Sequence, residues 1–260
     1  MQNEKTGVRT NGGQPRRHGI QVITRAAAVL RALERAPAGL ALGEIAAAVE
    51  LPKSTVHRLV AALASEDLVA QERGGKVRLG GGIARLAAAA RESLADQLRP
   101  ALLELRHELD ETVDLAVLDG AGVRFVDQLP APRRLHAASA VGEVFPLHCT
   151  ANGKALLAAM PEEQALALLP SRLPRFTPST IVSREGLRAE LTQVRAAGVA
   201  FDREEHTEGI CAVGAAVLDD TGPVAAISVP VPSQRFAGRE RELARAVRTA
   251  AERCSHLAGT

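Results

Sequence analysis

The chain has no tryptophan and no tyrosine, and only five phenylalanines among its 260 residues. Its cores must therefore be packed mainly from Ala, Leu, Val and Ile. Cysteine is nearly as scarce. Cys149, Cys211 and Cys254 lie far apart, are odd in number and form no Cys-x-x-Cys pair. That argues against a disulfide framework and fits a reducing cytoplasm. No apolar run approaches the roughly 18–20 residues of a membrane span, so no membrane association is expected. The N-terminus lacks the apolar segment of a signal peptide, and residues 1–18 read as a disordered basic tail. GxGxxG, P-loop and GxSxG motifs are also missing, and no cofactor is expected.

What is present is ordinary globular composition, 46% hydrophobic and 24% charged, in a chain long enough for two domains. The net charge of +2 is uneven. Residues 1–80 carry 12 Lys/Arg against 7 Asp/Glu, and the remainder is mildly acidic. A basic small domain joined to a larger acidic one points to a polyanion partner for the first only.

The first domain reads as helices and a hairpin. TRAAAVLRALERA, residues 24–36, has apolar residues at helical spacing, with Thr24 as a plausible N-cap and Pro37 marking the end. Leu42, Ile45, Ala46 and Val49 form a short amphipathic helix. Leu51-Pro52-Lys53 cannot continue it, because Pro52 has no amide hydrogen and disfavours helix at Leu51. A second helix then starts at Lys53 or Ser54, with Val56, Leu59, Val60 and Leu63 inward. Lys53, Ser54, Thr55, His57 and Arg58 sit at its start and on its outer face, where a recognition helix needs donors for base edges and phosphates. An ordinary surface helix with Ser54 as N-cap fits those residues equally well when they are taken alone. QERGGKVRLG, residues 71–80, reads as a hairpin tipped by Gly74-Gly75. A basic hairpin directly after a candidate recognition helix is a wing, and Arg73, Lys76 and Arg78 would reach double-stranded DNA.

The second domain alternates strands and helices. A helix is expected from Leu94 to about Glu111, followed by strands Val113–Leu118 and Val123–Leu129. Helices follow near Asn152–Met160, Glu162–Leu169 and Arg184–Ala197. Strands Gly214–Leu218 and Val224–Val231 and a last helix from Arg239 to Leu257 complete the pattern. This is an α+β domain with a mainly antiparallel sheet. HCTANGK, 148–154, reads as a loop leading into a helix, whose free amides suit a small carboxylate. Neither His148-Cys149 nor His206 with Glu204, Glu205 and Cys211 has the spacing of a metal or Cys/His catalytic motif, so no metal and no catalysis are expected. Asp202-Arg203-Glu204-Glu205 reads equally as a solvated turn or as a ligand contact through Asp202. Lys154 reads as a surface or loop-bracing residue.

Three stretches carry a family resemblance. GEIAAAVELPKSTVHRLVAALASEDLV, together with the wing and LGGGIARLAAAA after it, is similar to the N-terminal signature of the IclR family of bacterial transcriptional regulators. VGEVFPLHCTANGKALLAAM, 141–160, and AAGVAFDREEHTEGICAVGAAVLDDTGPVAAISVPVP, 196–232, resemble its two effector-domain motifs. The resemblance implies a winged helix-turn-helix at 19–80, a linker helix at 81–93, and a GAF-like effector domain at 94–260 with a six-stranded antiparallel sheet. It implies a homodimer or dimer of dimers, and a repressor more readily than an activator. Its effector would be a small organic acid, with Phe145, Ala151, Asn152, Asp202, Ile210 and Ser228 lining the cavity. Two departures stand out. Many relatives have a ligand-contacting Cys at the position of Ala212, whereas here Cys211 lies one residue earlier; on a strand that offset turns the side chain to the opposite face, so either Cys211 is outside the pocket or the local register differs. Some relatives have Ser where this chain has Pro230. Both changes remove polar groups from the site, so a larger or more apolar acid is expected. The competing function is an interaction module whose helix-turn-helix contacts protein.

Overall fold

The computed structural model describes residues 21–72, 74–137, 139 and 141–259, without the side chain of Glu92. The expected tail at 1–18 and the candidate DNA contact Arg73 lie outside the described residues. The chain divides into two compact units, 1–88 and 89–260.

The first unit holds α1 (Gln21–Glu34), β1 (Leu40–Ala41), α2 (Leu42–Ala48), α3 (Lys53–Ser65), β2 (Val69–Gln71) and β3 (Lys76–Leu79). Helix α1 is already helical at Gln21, so Thr24 is an interior residue and not its N-cap. Pro52 breaks the chain between α2 and α3 and occupies the N-cap position of α3. Ser54 is likewise inside the helix. The two residues of β1 were not apparent in the sequence; they pair with β3 and make the wing three-stranded, in the order β1-β3-β2. Val29, Leu33, Ile45, Val56, Val60, Leu63, Val69 and Val77 form one buried cluster. It takes one face of each helix and the inward residue of each arm of the hairpin.

Helix α4 (Gly81–Leu109) is a single 29-residue element. The expected division at 93/94 between a linker helix and a second helix does not occur. No glycine or proline falls near that point to break the ladder. Pro100 removes one amide donor from the helix without ending it. The boundary between the compact units falls within this helix, between residues 88 and 89.

The second unit adds β4 (Val113–Asp119), β5 (Gly122–Leu129), β6 (Val144–Pro146), α5 (Ala151–Ala159), α6 (Glu162–Ala167), α7 (Arg184–Ala197), β7 (Ala200–Arg203), β8 (Ile210–Asp219), β9 (Gly222–Pro232), α8 (Ser233–Phe236) and α9 (Glu240–Ala258). Strands β6 and β7 were not read from the residues, and β8 and β9 are longer than expected. The six strands form one antiparallel sheet in the order β6-β5-β4-β9-β8-β7. Successive residues of a strand point to opposite faces, so each strand divides its side chains between two layers. Val113, Leu115, Val117, Cys211, Val213, Ala215, Ile227, Val229 and Val231 pack with α4 residues from Leu98 onward and with α9 on one face. The other face meets α5, α6 and α7 through residues such as Ala116, Leu156, Leu157, Leu187 and Leu191. β4 pairs with β9 only at Asp114–Ala116. Pro230 therefore lies on a stretch of β9 with no β4 partner, where a missing amide costs least.

Helix α5 lies almost against backbone at two glycines. A Cβ on Gly153 would fall 2.4 Å from the Leu147 carbonyl oxygen, and one on Gly214 would fall 2.9 Å from the Ala151 carbonyl carbon. Gly153→Ala is therefore expected to destabilise the second unit by about 1–3 kcal/mol, the usual cost of overpacking. Thermal melting checks this, and an unchanged midpoint would contradict the tight seating of α5.

Candidate functional site

In the first unit, α3 turns Val56, Val60 and Leu63 into the core and leaves Lys53, Ser54, His57 and Arg58 exposed, with Thr55 half-buried. Lys76 and Arg78 of the wing are exposed as well. Among the described residues of this set, Arg78 alone pairs with an acid, Glu72, at 2.8 Å. Thr55 and Arg58 share a shallow groove with Arg25 from α1. Nothing in the sequence pattern singles out Arg25. The result is a protruding helix start and a basic hairpin whose donors are mostly uncommitted.

In the second unit, a cavity of about 230 Å³ opens on the α5 side of the sheet. Phe145, Ala151, Asn152, Asp202, Ile210 and Ser228 all line it. The sheet register explains how distant stretches meet there. Asp114 lies opposite Ser228, Pro230 opposite Ala212, and Ala212 opposite Asp202. These residues share the face opposite the Cys211, Val213 and Val229 layer. Ala212 and Pro230 therefore line the cavity, while Cys211 packs into the core on the far side. The start of α5 is held by Thr150, whose Oγ1 accepts from the Gly153 amide at 3.2 Å and donates to the Pro146 carbonyl at 2.8 Å. Asn152 is buried, and its amide nitrogen reaches the Ala226 carbonyl.

Several lining residues escaped the sequence reading. His206 stacks on Phe145 at a centroid distance of 4.3 Å, and Phe125 meets Phe145 edge-on at 5.0 Å. These rings make an aromatic wall. Burial lowers the pKa of His206, favouring the neutral ring. His136 and Ser139 come from the segment after β5, and Asp114 from β4. The available signal for Asp114 was one acid within the apolar run VDLAV, since a buried polar residue is the informative exception.

The turn after β7 is not solvated throughout, because Asp202 and Glu205 are both buried. Asp202 Oδ1 accepts the Glu205 amide at 2.7 Å. Lys154, read as a surface or bracing residue, has no exposed surface. It braces from within, donating to Glu205 at 2.5 Å and Glu190 at 2.9 Å. Burial raises the Glu205 carboxyl, and the Lys154 ammonium pulls it back. Among the described residues neither Lys nor Arg lines the cavity. Among the described residues no cluster of three or more His, Cys, Asp or Glu is placed to hold a metal ion.

A winged helix-turn-helix ahead of an α+β unit with an open cavity on its sheet defines the class of transcriptional regulators. Residues 22–73 match the IclR helix-turn-helix domain, and residues 86–256 match the domain described as bacterial transcriptional regulator IclR C-terminal. The chain belongs to the IclR family of bacterial transcriptional regulators. It is 54% identical over 230 residues to the HTH-type transcriptional regulator Rv1719 of Mycobacterium tuberculosis, covering 88% of this chain and 89% of that protein. Among solved structures it is similar to the Agobacterium tumefaciens repressor BlcR, with a TM-score of 0.58, 28% identity, and coverage of 92% of this chain and 98% of the other. It is also similar to an IclR homologue from Microbacterium hydrocarbonoxydans complexed with 4-hydroxybenzoate, with a TM-score of 0.56, 25% identity, and coverage of 90% and 99%. Among the described residues no helix is long and apolar enough to cross a membrane.

Burial raises the pKa of both Asp114 and Asp202 to about 7. A carboxyl whose pKa is raised on folding stabilises the fold in its protonated form. That contribution is complete below about pH 4, the unfolded value, and is lost as pH rises through about 7. The melting temperature of the second unit should fall between pH 5 and pH 8. Asp114→Asn, neutral at both, should fall less; an identical pH slope in variant and wild type would contradict the burial of a titrating Asp114.

Proposed function

We propose that this regulator binds operator DNA through α3 and the wing, and that a small organic effector seated in the cavity sets its operator affinity. The observation that carries the proposal is the partition of α3. Its apolar face is consumed by the core, while Lys53, Ser54, His57 and Arg58 at its first turns stay exposed beside a basic hairpin. Such a helix start suits the major groove, with base edges met by side chains and phosphates by basic groups. Arg73 is assigned to the wing with Lys76 and Arg78. In this reading residues 19–80 bind DNA, 81–93 link, and 94–260 sense.

The effector is assigned to Phe145, Ala151, Asn152, Asp202, Ile210 and Ser228. The 4-hydroxybenzoate complex of the Microbacterium homologue supports a ligand of one-ring size. An acid was expected from the start of α5. Two lining carboxyls, with no lining Lys or Arg among the described residues, make that the less favoured form in this chain. The protein acts as a homodimer or dimer of dimers on two-fold related half-sites, whose centres are about 34–36 Å or a multiple apart. It acts as a repressor, in line with the naming of BlcR, and effector binding changes the relative placement of two DNA-binding units.

Fluorescence anisotropy on the promoter of its own gene tests this. Arg58→Ala should weaken specific binding by about 1–3 kcal/mol, the worth of a base contact. Lys76→Ala should weaken all DNA alike and lower the salt slope by about one. Unchanged operator affinity in Arg58→Ala would remove its assigned role. Asp202→Ala should alter the effector response and leave effector-free operator binding in place. Loss of both together would point to folding instead.

A further inference from the structure

We infer that Asp114 is a ligand-recognition residue at the β4 end of the cavity, and that the cavity selects effectors presenting an O–H or N–H donor there in place of a carboxylate. This deepens the effector reading above and rests on it.

Asp114 is 1% exposed and faces the cavity. A buried carboxyl is normally accounted for by a cation or by a full set of donors. Asp114 has neither. Oδ1 accepts from Gln128 Nε2 at 2.8 Å and Oδ2 accepts from Ser139 Oγ at 2.8 Å, both neutral donors. No salt bridge reaches it among the described residues. A carboxylate offers about four acceptor sites, so about half remain unused. Burial favours the neutral form of the group, and the two donors in place work against it, towards the accepting carboxylate.

The surrounding backbone is arranged to keep it so. The β4–β5 ladder shifts register between Leu115 and Ala116, where Leu115 pairs with Asp127 and Ala116 with Phe125. Without that bulge Phe125 and Gln128 would face opposite sides of the sheet. With it, Phe125 lines the cavity and Gln128 sits directly across from Asp114.

Asp202 provides a second acid on the same floor. β4 and β7 are separated by three strand steps, on the order of 14 Å of sheet. The two carboxyls therefore stand on separate strands of the floor, with β9 and β8 between them. A ligand carboxylate would bring a further acid into a site whose two acids are already disfavoured as anions by burial, and no Lys or Arg among the described residues lines it. A hydroxyl or amine would instead fill acceptor sites that are waiting. The aromatic wall of Phe145 and His206 offers apolar ring surface to a planar ligand body.

The test uses three probes that differ in one substituent: 4-hydroxybenzyl alcohol, 4-hydroxybenzylamine and 4-hydroxybenzoate. Isothermal titration of the full chain should rank the alcohol or the amine at least tenfold tighter than the benzoate. The alcohol binding tighter identifies a neutral hydroxyl as the preferred donor, and the amine binding tighter identifies a cationic one. In Asp114→Asn, with its fold checked by circular dichroism, that preference should shrink at least fivefold. Asp114→Glu, with the carboxyl kept, should retain its direction. Tightest binding of the benzoate by wild type, or an unchanged ranking in Asp114→Asn, would overturn the inference. Failure of all three probes to bind would overturn it too. The effector reading would still stand in that case if a cell extract shifts operator binding, and it would fall if no extract does.

Discussion

An ammonium group with no contact with water must find its counter-charges within the fold, and Lys154 does so in two directions. It projects from α5, the helix whose start forms one wall of the cavity. It holds Glu190 on α7 and Glu205 in the turn after β7. Desolvating three charged groups is costly, and removing one partner of such a cluster usually costs about 3–5 kcal/mol. The pairing therefore fixes the turn that carries Asp202 and His206 against the helix that carries Ala151 and Asn152. Thr177 and Thr180 add to this by donating to the Glu204 and Glu205 carbonyls. On that side the cavity wall is tied to α5 and α7 through the charge behind it.

The opposite side is held differently. The segment after β5, which brings His136 and Ser139 to the cavity, is tied down near the C-terminal end of α4. Arg235 donates to the Leu135 carbonyl and to Glu111, which is fully buried and also bound by Arg239. Ala131 donates to Thr112 Oγ1. One charged cluster thus anchors each side of the site, and between them the sheet offers a floor of alternating small, polar and acidic residues.

Much of this was legible from the residues, for reasons that differ by element. The helix-turn-helix is local: Pro52 fixes the break, and the 3.6-residue period of Val56, Val60 and Leu63 fixes the buried face. Ala212 and Cys211 had to face opposite sides by the two-residue period of a strand, but only the register shows that Ala212 meets the cavity and Cys211 the core. The six expected lining residues meet in one cavity, although that expectation came from resemblance and not from spacing. What stayed hidden was non-local. The pairing of β1 with β3 depends on two residues, too few for any pattern. The burial of Lys154 depends on acids 36 and 51 positions away. Asp114 was not singled out, because only the assembled sheet shows that both of its faces are covered. The continuity of α4 was missed because a change of role between domains was taken for a change of structure.

The central claim is that the exposed start of α3 reads DNA sequence. Selection of genomic fragments by the purified chain, sequenced and aligned, tests it most directly. The account predicts a recovered two-fold symmetric site, with half-sites centred about one helical turn or a multiple apart, and loss of that enrichment when Lys53 and Arg58 are both replaced by Ala. Fragments recovered without a shared sequence, or the same site recovered by the double variant, would contradict it.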